Sequence, residues 1–143
     1  MTIAVTDHDD FNANIIAEYR ANAGKMSGMF EGGTLLLLHH KGARTGTERV
    51  NPLAYQKVGD SYAVFASAGG APRDPQWFRN LLANPDTSAE IGAETIRVHA
   101  RVAGPEERAP IWAKQKTGQP GFAEYEVTAA PREIPVILLD PVG

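Results

Sequence analysis

The chain has 143 residues, of which 43% are hydrophobic and 22% charged. That is enough for one compact domain with a real core, and it excludes a disordered or fibrous protein. A net charge of -3 excludes a general nucleic-acid footprint, and the lack of cysteine excludes disulfides, thiolate metal sites and a cysteine nucleophile.

Residues 1–9 read as a loose tail, with neither the basic region nor the apolar stretch of a signal peptide. From Asp10 onward Phe11, Ile15, Ile16 and Tyr19 recur on one helical face. Asp9 or Asp10 is placed to cap this helix and Gly24 to end it. After a linker over 25–33, residues 35–40 have the length and apolarity of a buried strand. Their run Leu35 to Leu38 is the longest apolar stretch, far too short to span a bilayer. Residues 49–58 and 61–67 read as a hairpin across Gly59 and Asp60. A glycine-rich loop over 68–75 leads to a second helix, with Asp74 as its cap and Pro75 in its first position. Trp77, Leu81 and Leu82 mark the buried face of that helix, and Asn84-Pro85 closes it. Residues 87–91 and 95–102 form another hairpin. Gly104-Pro105 opens a third helix with Trp112 facing inward, a short fourth helix falls within 119–129, and 134–139 is the final strand. About six strands and three or four helices, without a running β-α-β alternation, predict a mainly β (α+β) fold. The expected architecture is a single antiparallel barrel domain over 10–143 with peripheral helices.

Chemistry concentrates in two loops. Between Lys41 and Arg49 lie three positive side chains with Arg44, the glycines Gly42 and Gly46, and the hydroxyls of Thr45 and Thr47. Glycines let backbone N–H groups approach an oxyanion, and arginine grips phosphate with two donors. It is not a P-loop, since no lysine follows the second glycine. Spacing alone fits a solvated strand connection slightly better than a phosphate cradle. The second loop, from Ser67 through Ala68, Gly69 and Gly70, leaves backbone open to a flat ring or an anion ahead of a helix N-terminus. A turn that needs glycine for positive φ fits that loop at least as well. Trp77 and Trp112 read as core. Phe122 and Tyr125 share a helical face and fit either a pocket rim or the core. His39 and His40 are adjacent on a strand and point to opposite faces, so no metal site is expected.

These segments together resemble the deazaflavin-dependent nitroreductase family, also described as F420-dependent quinone reductases. The resemblance runs from about Phe11 to Pro141. It is carried by Phe11-Asn12 and residues 15–22, Phe30-Glu31-Gly32, Gly42 to Gly46, Arg49 to Leu53, Ala66 to Gly70, Pro75 to Pro85, and Ile134 to Val136. It implies a split β-barrel like that of FMN-binding oxidases, and F420 as the coenzyme. Ala43, Arg44, Thr45, Gly46 and Arg49 would then meet the coenzyme phosphate and its acidic tail. Asn51, Pro52 and Leu53 would pass beside the deazaflavin ring. Ala66, Ser67, Ala68, Gly69 and Gly70 would hold its edge, with Trp77 and Asn80 behind. Ser67 and Tyr125 would be the catalytic hydroxyls, and Phe122 and Tyr125 would meet the substrate.

Ala43 stands where many family members carry a basic residue. Gln119 and Phe122 stand where those acting on bulky nitro compounds carry tyrosines. The expected acceptor is therefore a quinone or another electron-poor molecule, with nitroaromatics open. An FMN-dependent oxidoreductase of the same fold and a non-catalytic F420 carrier are the alternatives. Expected partners are the small-molecule acceptor and, at most, a second copy of the chain, with no nucleic acid and no metal. The expected location is the cytoplasm, with a weak peripheral position at the inner face of the membrane left open.

Overall fold

The computed structural model describes residues 3–25 and 34–142, and of residues 3–11 the backbone alone. The expected linker from Met26 on, including Phe30-Glu31-Gly32, lies outside the described residues. Six antiparallel strands, β1 (Leu35–Lys41), β2 (Glu48–Val58), β3 (Ser61–Phe65), β4 (Asp86–Ile91), β5 (Glu94–Val102) and β6 (Val136–Pro141), close into a barrel in the order β1-β2-β3-β6-β5-β4. Four helices lie around it: α1 (Ile3–Ala21), α2 (Gln76–Ala83), α3 (Pro105–Gly118) and α4 (Gly121–Ala129), with a 3-10 turn at Ala68–Gly70. This is the antiparallel barrel with peripheral helices that the sequence predicts.

The strands show why a run of four leucines need not cross a membrane. Side chains alternate across a strand. Leu36 and Leu38 turn into the barrel with Val64, Val98 and Leu139, and α2 closes that core with Trp77, Phe78 and Leu81. Leu37 turns outward and is covered by Ile15 and Tyr19 of α1. Both faces of β1 are therefore dry. A second apolar cluster lies outside the barrel, where Phe65 and Val136 meet Ile111 and Trp112 of α3.

One buried phenol pins α1. The Tyr19 hydroxyl donates toward the carbonyls of Leu35 (3.0 Å) and Glu90 (3.2 Å) and accepts the Gly92 N–H (2.8 Å). Burial pushes its pKa up. Arg20 adds a two-pronged contact to Glu90, which also meets His39 at 2.7 Å. The Arg20 hydrogen bonds hold the Glu90 carboxyl below the usual carboxylate range, with His39 adding to the effect.

Four boundaries differ from expectation, each for a local reason. The first helix begins at Ile3 rather than Asp10, replacing the expected loose tail over residues 3–9. No glycine or proline interrupts 3–10, and the acids stand inside the helix instead of capping it. Asp74 does not cap α2: the N-cap is Pro75, and the Asp74 carboxylate is drawn 2.9 Å from Arg132. The guanidinium, a full positive charge, competes there with the backbone N–H groups of the helix end for the carboxylate. β3 stops at Phe65, two residues early, because the Ala66 N–H bonds the Pro135 carbonyl (3.0 Å) and Ser67 enters a helical conformation. The last strand starts at Val136; Ile134 is buried ahead of it, its carbonyl taken by Arg108 (2.8 and 3.2 Å).

Candidate coenzyme site

The basic loop joins β1 to β2 and is exposed along most of its length. Its backbone closes on itself through Gly42 N–H to Thr47 O (2.8 Å) and Gly46 N–H to Gly42 O (2.9 Å). Under it lies a cleft of about 310 Å³ lined by Gly42, Ala43, Arg44, Thr45, Arg49, Gln76 and Asn80. A second cleft, about 400 Å³, shares Arg49 and Gln76 and continues past His40, Asn51 and Trp77 to Asn12, Ala13 and Ile16 of α1. The two form one groove between the β1–β2 end of the barrel and the start of α2. Among the described residues neither Arg44 nor Arg49 has an ion-pair partner. Two free guanidiniums with threonine and amide donors between them suit an anion with several oxygens.

A buried polar chain fixes this groove from below. Asn80 is fully buried and His40 is 2% exposed. Asn80 Oδ1 accepts the Ala43 N–H (3.0 Å) and a Gln76 side-chain N–H (3.1 Å), which sets its amide orientation. Its Nδ2 therefore donates to His40 Nδ1 (2.9 Å), leaving the imidazole proton on Nε2 to meet Asn51 Oδ1 (2.7 Å). Desolvation holds His40 below its ordinary pKa, and the charges of Arg49 and His39 act in the same direction. The neutral ring thus links the loop, α2 and β2. His39 points the other way, to Glu90.

The glycine turn after β3 is held from the opposite side. The Arg132 guanidinium donates to the carbonyls of Ala66 (3.0 Å), Ser67 (3.0 Å) and Ala71 (2.7 and 3.2 Å) as well as to Asp74. Thr128 of α4 donates to the Gly70 carbonyl (2.9 Å). Gly70 has φ +82, and a Cβ there would come within 2.1 Å of the Thr128 hydroxyl and 3.0 Å of the Tyr125 Cα. Only glycine allows α4 to approach so closely. Phe122 meets Phe65, Trp112 and Tyr125 at ring separations of 5.6, 6.1 and 5.3 Å.

The residues named from sequence fall into two groups. Ala43, Arg44, Thr45, Arg49, Asn51, Trp77 and Asn80 all line the groove. Ala66, Ser67, Ala68, Gly69 and Gly70 form the turn on which α4 sets Phe122 and Tyr125. Pro52 and Leu53 lie on β2 between the groups; Leu53 packs against the barrel core. Gly46, at the loop tip, lines neither cleft. Sequence reasoning missed His40, Gln76 and Arg132. The signal for His40 was a polar residue ending an apolar strand.

The profile of the F420H(2)-dependent quinone reductase family matches residues 13–141. A Mycobacterium tuberculosis protein named F420H(2)-dependent quinone reductase is 35% identical over 127 residues, covering 86% of this chain and 85% of its own. The structure titled F420-H2 dependent reductase (FDR-A) superposes with a TM-score of 0.68 at 33% identity, over 75% of this chain and 94% of that one. Another, described as a domain-swapped dimer, gives 0.69 at 30% identity over 94% and 98%. The haem storage protein HutZ of Vibrio cholerae, 15% identical with a TM-score of 0.57, shares the fold. The chain belongs to the F420H(2)-dependent quinone reductase family.

Proposed function

We propose that this protein binds F420H2 in the groove and passes its hydride to a quinone. The observation that carries the coenzyme reading is the pair Arg44 and Arg49, which have no ion-pair partners among the described residues, on a groove whose other polar side chains are the Thr45 hydroxyl, amides and the His40 imidazole. A phosphate with a carboxylate tail supplies the oxygens these donors lack.

When bound, the reduced deazaflavin supplies a hydride and disfavours one-electron steps. The chain's own part is binding, orientation and proton handling. The basic loop anchors the phosphate. Pro52, Ala68 and Gly69 offer a flat surface beside the ring, and Ser67 and Tyr125 are the hydroxyls assigned to the acceptor oxygen, which gains charge and then a proton. Tyr125→Phe is expected to slow turnover while coenzyme affinity holds; equal losses in both would make its role structural. The protein acts as a monomer or homodimer. Its place is the cytoplasm. Among the described residues no helix is long and apolar enough to cross a membrane.

Fluorescence titration with F420, with FMN in parallel, tests the coenzyme assignment. Saturable F420 binding without FMN binding is the expected result; FMN binding alone would overturn it. A carrier would bind F420 and reduce nothing across a panel of quinones.

A further inference from the structure

The polar groups of α3 and α4 meet at one carboxylate. Trp112 of α3 is buried, and its indole N–H donates to one oxygen of Glu126 on α4. The other oxygen accepts from Lys116 (3.1 Å), one turn beyond Trp112 on α3. The Trp112 hydrogen bond, with Lys116 adding to it, holds the Glu126 carboxyl below the usual carboxylate range, so it is ionised at neutral pH. Trp112 is itself fixed. The Arg108 guanidinium lies over its ring, 5.3 Å from the centroid, and is anchored on the Ile134 carbonyl (2.8 Å). The Phe65 ring closes at 5.9 Å.

Tyr125 stands next to Glu126 on α4. Its ring meets Phe122 at 5.3 Å and lies against Gly70, where an added Cβ would stand 3.3 Å from its Cδ1. Its hydroxyl has no hydrogen-bond partner among the described residues and is not sealed from solvent, so it is open to a ligand. The phenol therefore has no polar contact of its own to aim it. Its direction follows from the rotation of α4 about its axis, because neighbours on a helix stand about 100° apart. α4 has nine residues, too few to hold a helix unaided. Thr128 on the Gly70 carbonyl ties its end to the glycine turn. Glu126 on Trp112 ties its middle to α3. We propose that Glu126 is a positioning residue, whose bonds to Trp112 and Lys116 set the rotation of α4 and hold the Tyr125 hydroxyl at the glycine turn. Glu126 lines neither cleft of the groove and acts through Tyr125. The proposal rests on the assignment of the Tyr125 hydroxyl to the acceptor oxygen.

Turnover of F420H2 with menadione, in single and double variants, tests this. Glu126→Ala is expected to lower kcat by about tenfold, while the menadione KM and F420 affinity stay within about twofold. Trp112→Phe, which removes the indole N–H from the other side, should lower kcat likewise. Glu126→Gln keeps an acceptor for that N–H and should recover most of the loss. In the Tyr125→Phe background Glu126→Ala should cost less than about twofold more, because the group it positions is gone. Fluorotyrosine labelling adds a readout that needs neither coenzyme nor acceptor. The fluorine resonance of Tyr125, assigned by its loss in Tyr125→Phe, should shift or broaden in Glu126→Ala and do so less in Glu126→Gln. An equal further loss of kcat in the Tyr125→Phe background, or a Tyr125 resonance that Glu126→Ala leaves unmoved, would overturn the positioning role and leave the reductase reading intact. Parent kcat in Tyr125→Phe would instead sink the assignment of Tyr125 to the acceptor, and the proposal with it, even where the resonance moves.

Discussion

The two ends of the proposed coenzyme site are built in opposite ways. The basic loop is exposed, leaves Arg44 and Arg49 without ion pairs among the described residues, and is tied to the fold beneath by the Ala43 N–H on Asn80. The glycine turn spends its polar groups internally, its carbonyls of Ala66, Ser67, Gly70 and Ala71 all accepting from Arg132 or Thr128. The first end holds charge in reserve for a ligand. The second offers shape and leaves its recognition to backbone N–H groups and the Ser67 hydroxyl. Substitutions should therefore separate: at the turn they cost stability, and at the loop they cost affinity.

The largest effect is expected at Arg132. Arg132→Ala strands three carbonyls and Asp74 at once, and breaking such a partly buried charged network costs about 3 kcal/mol. Urea unfolding would measure it. Arg132→Lys, with a point charge in place of a planar fork, should recover only part of the loss. Wild-type stability in the alanine variant would mean that the turn holds its shape unaided.

At the loop the prediction inverts. Arg44→Ala and Arg49→Ala should each weaken F420 binding by about 1.5–3 kcal/mol, the worth of a hydrogen bond to a charged group. Unfolding midpoints should stay put, because neither side chain has an ion pair to lose among the described residues. Raising the salt should shrink the difference between wild type and variant. A fall in stability without a fall in affinity would erase the distinction between the two ends.

Gly70 sharpens the comparison from the steric side. Gly70→Ala places a Cβ 2.1 Å from the Thr128 hydroxyl at a positive φ. A loss of about 2 kcal/mol is expected, more than the ordinary Gly-to-Ala range. Adding Thr128→Ala removes the tightest contact and leaves the one at 3.0 Å to the Tyr125 Cα, so the double variant should be more stable than the sum of the single losses implies. Strict additivity would place the cost in the backbone conformation and the Tyr125 contact rather than in the Thr128 hydroxyl.

These regions also differ in how far the sequence reveals them. The barrel was legible because alternating apolar residues and glycine turns are local signals. The basic loop was legible because its charges are neighbours in the chain. The turn's supports were not. Arg132 lies 58 residues from Asp74, and its pull on that carboxylate is what removed the expected cap from α2. The polar chain was also opaque, since Asn80 and His40 are 40 residues apart. Its trace in the sequence is an asparagine among Trp77, Phe78 and Leu81 on the buried face of a helix.

That polar chain gives the loop a pH dependence the turn should lack. Burial lowers the His40 pKa, so between its folded value and the unfolded value of about 6.5 the unfolded chain binds the proton and the folded chain does not. Its stabilising contribution is complete above about pH 6.5 and declines as pH falls below it. Protonated Nδ1 would face the Asn80 Nδ2 donor. Turning the Asn80 amide to relieve that contact would set a donor against the Ala43 N–H and loosen the loop. F420 affinity is therefore expected to fall as the pH drops from 6.5 through the lowered folded-state pKa of His40. His40→Gln keeps one donor and one acceptor but cannot take up the proton, so its affinity should vary less with pH. An equal slope in both proteins would place the titrating group elsewhere and leave His40 a purely structural link.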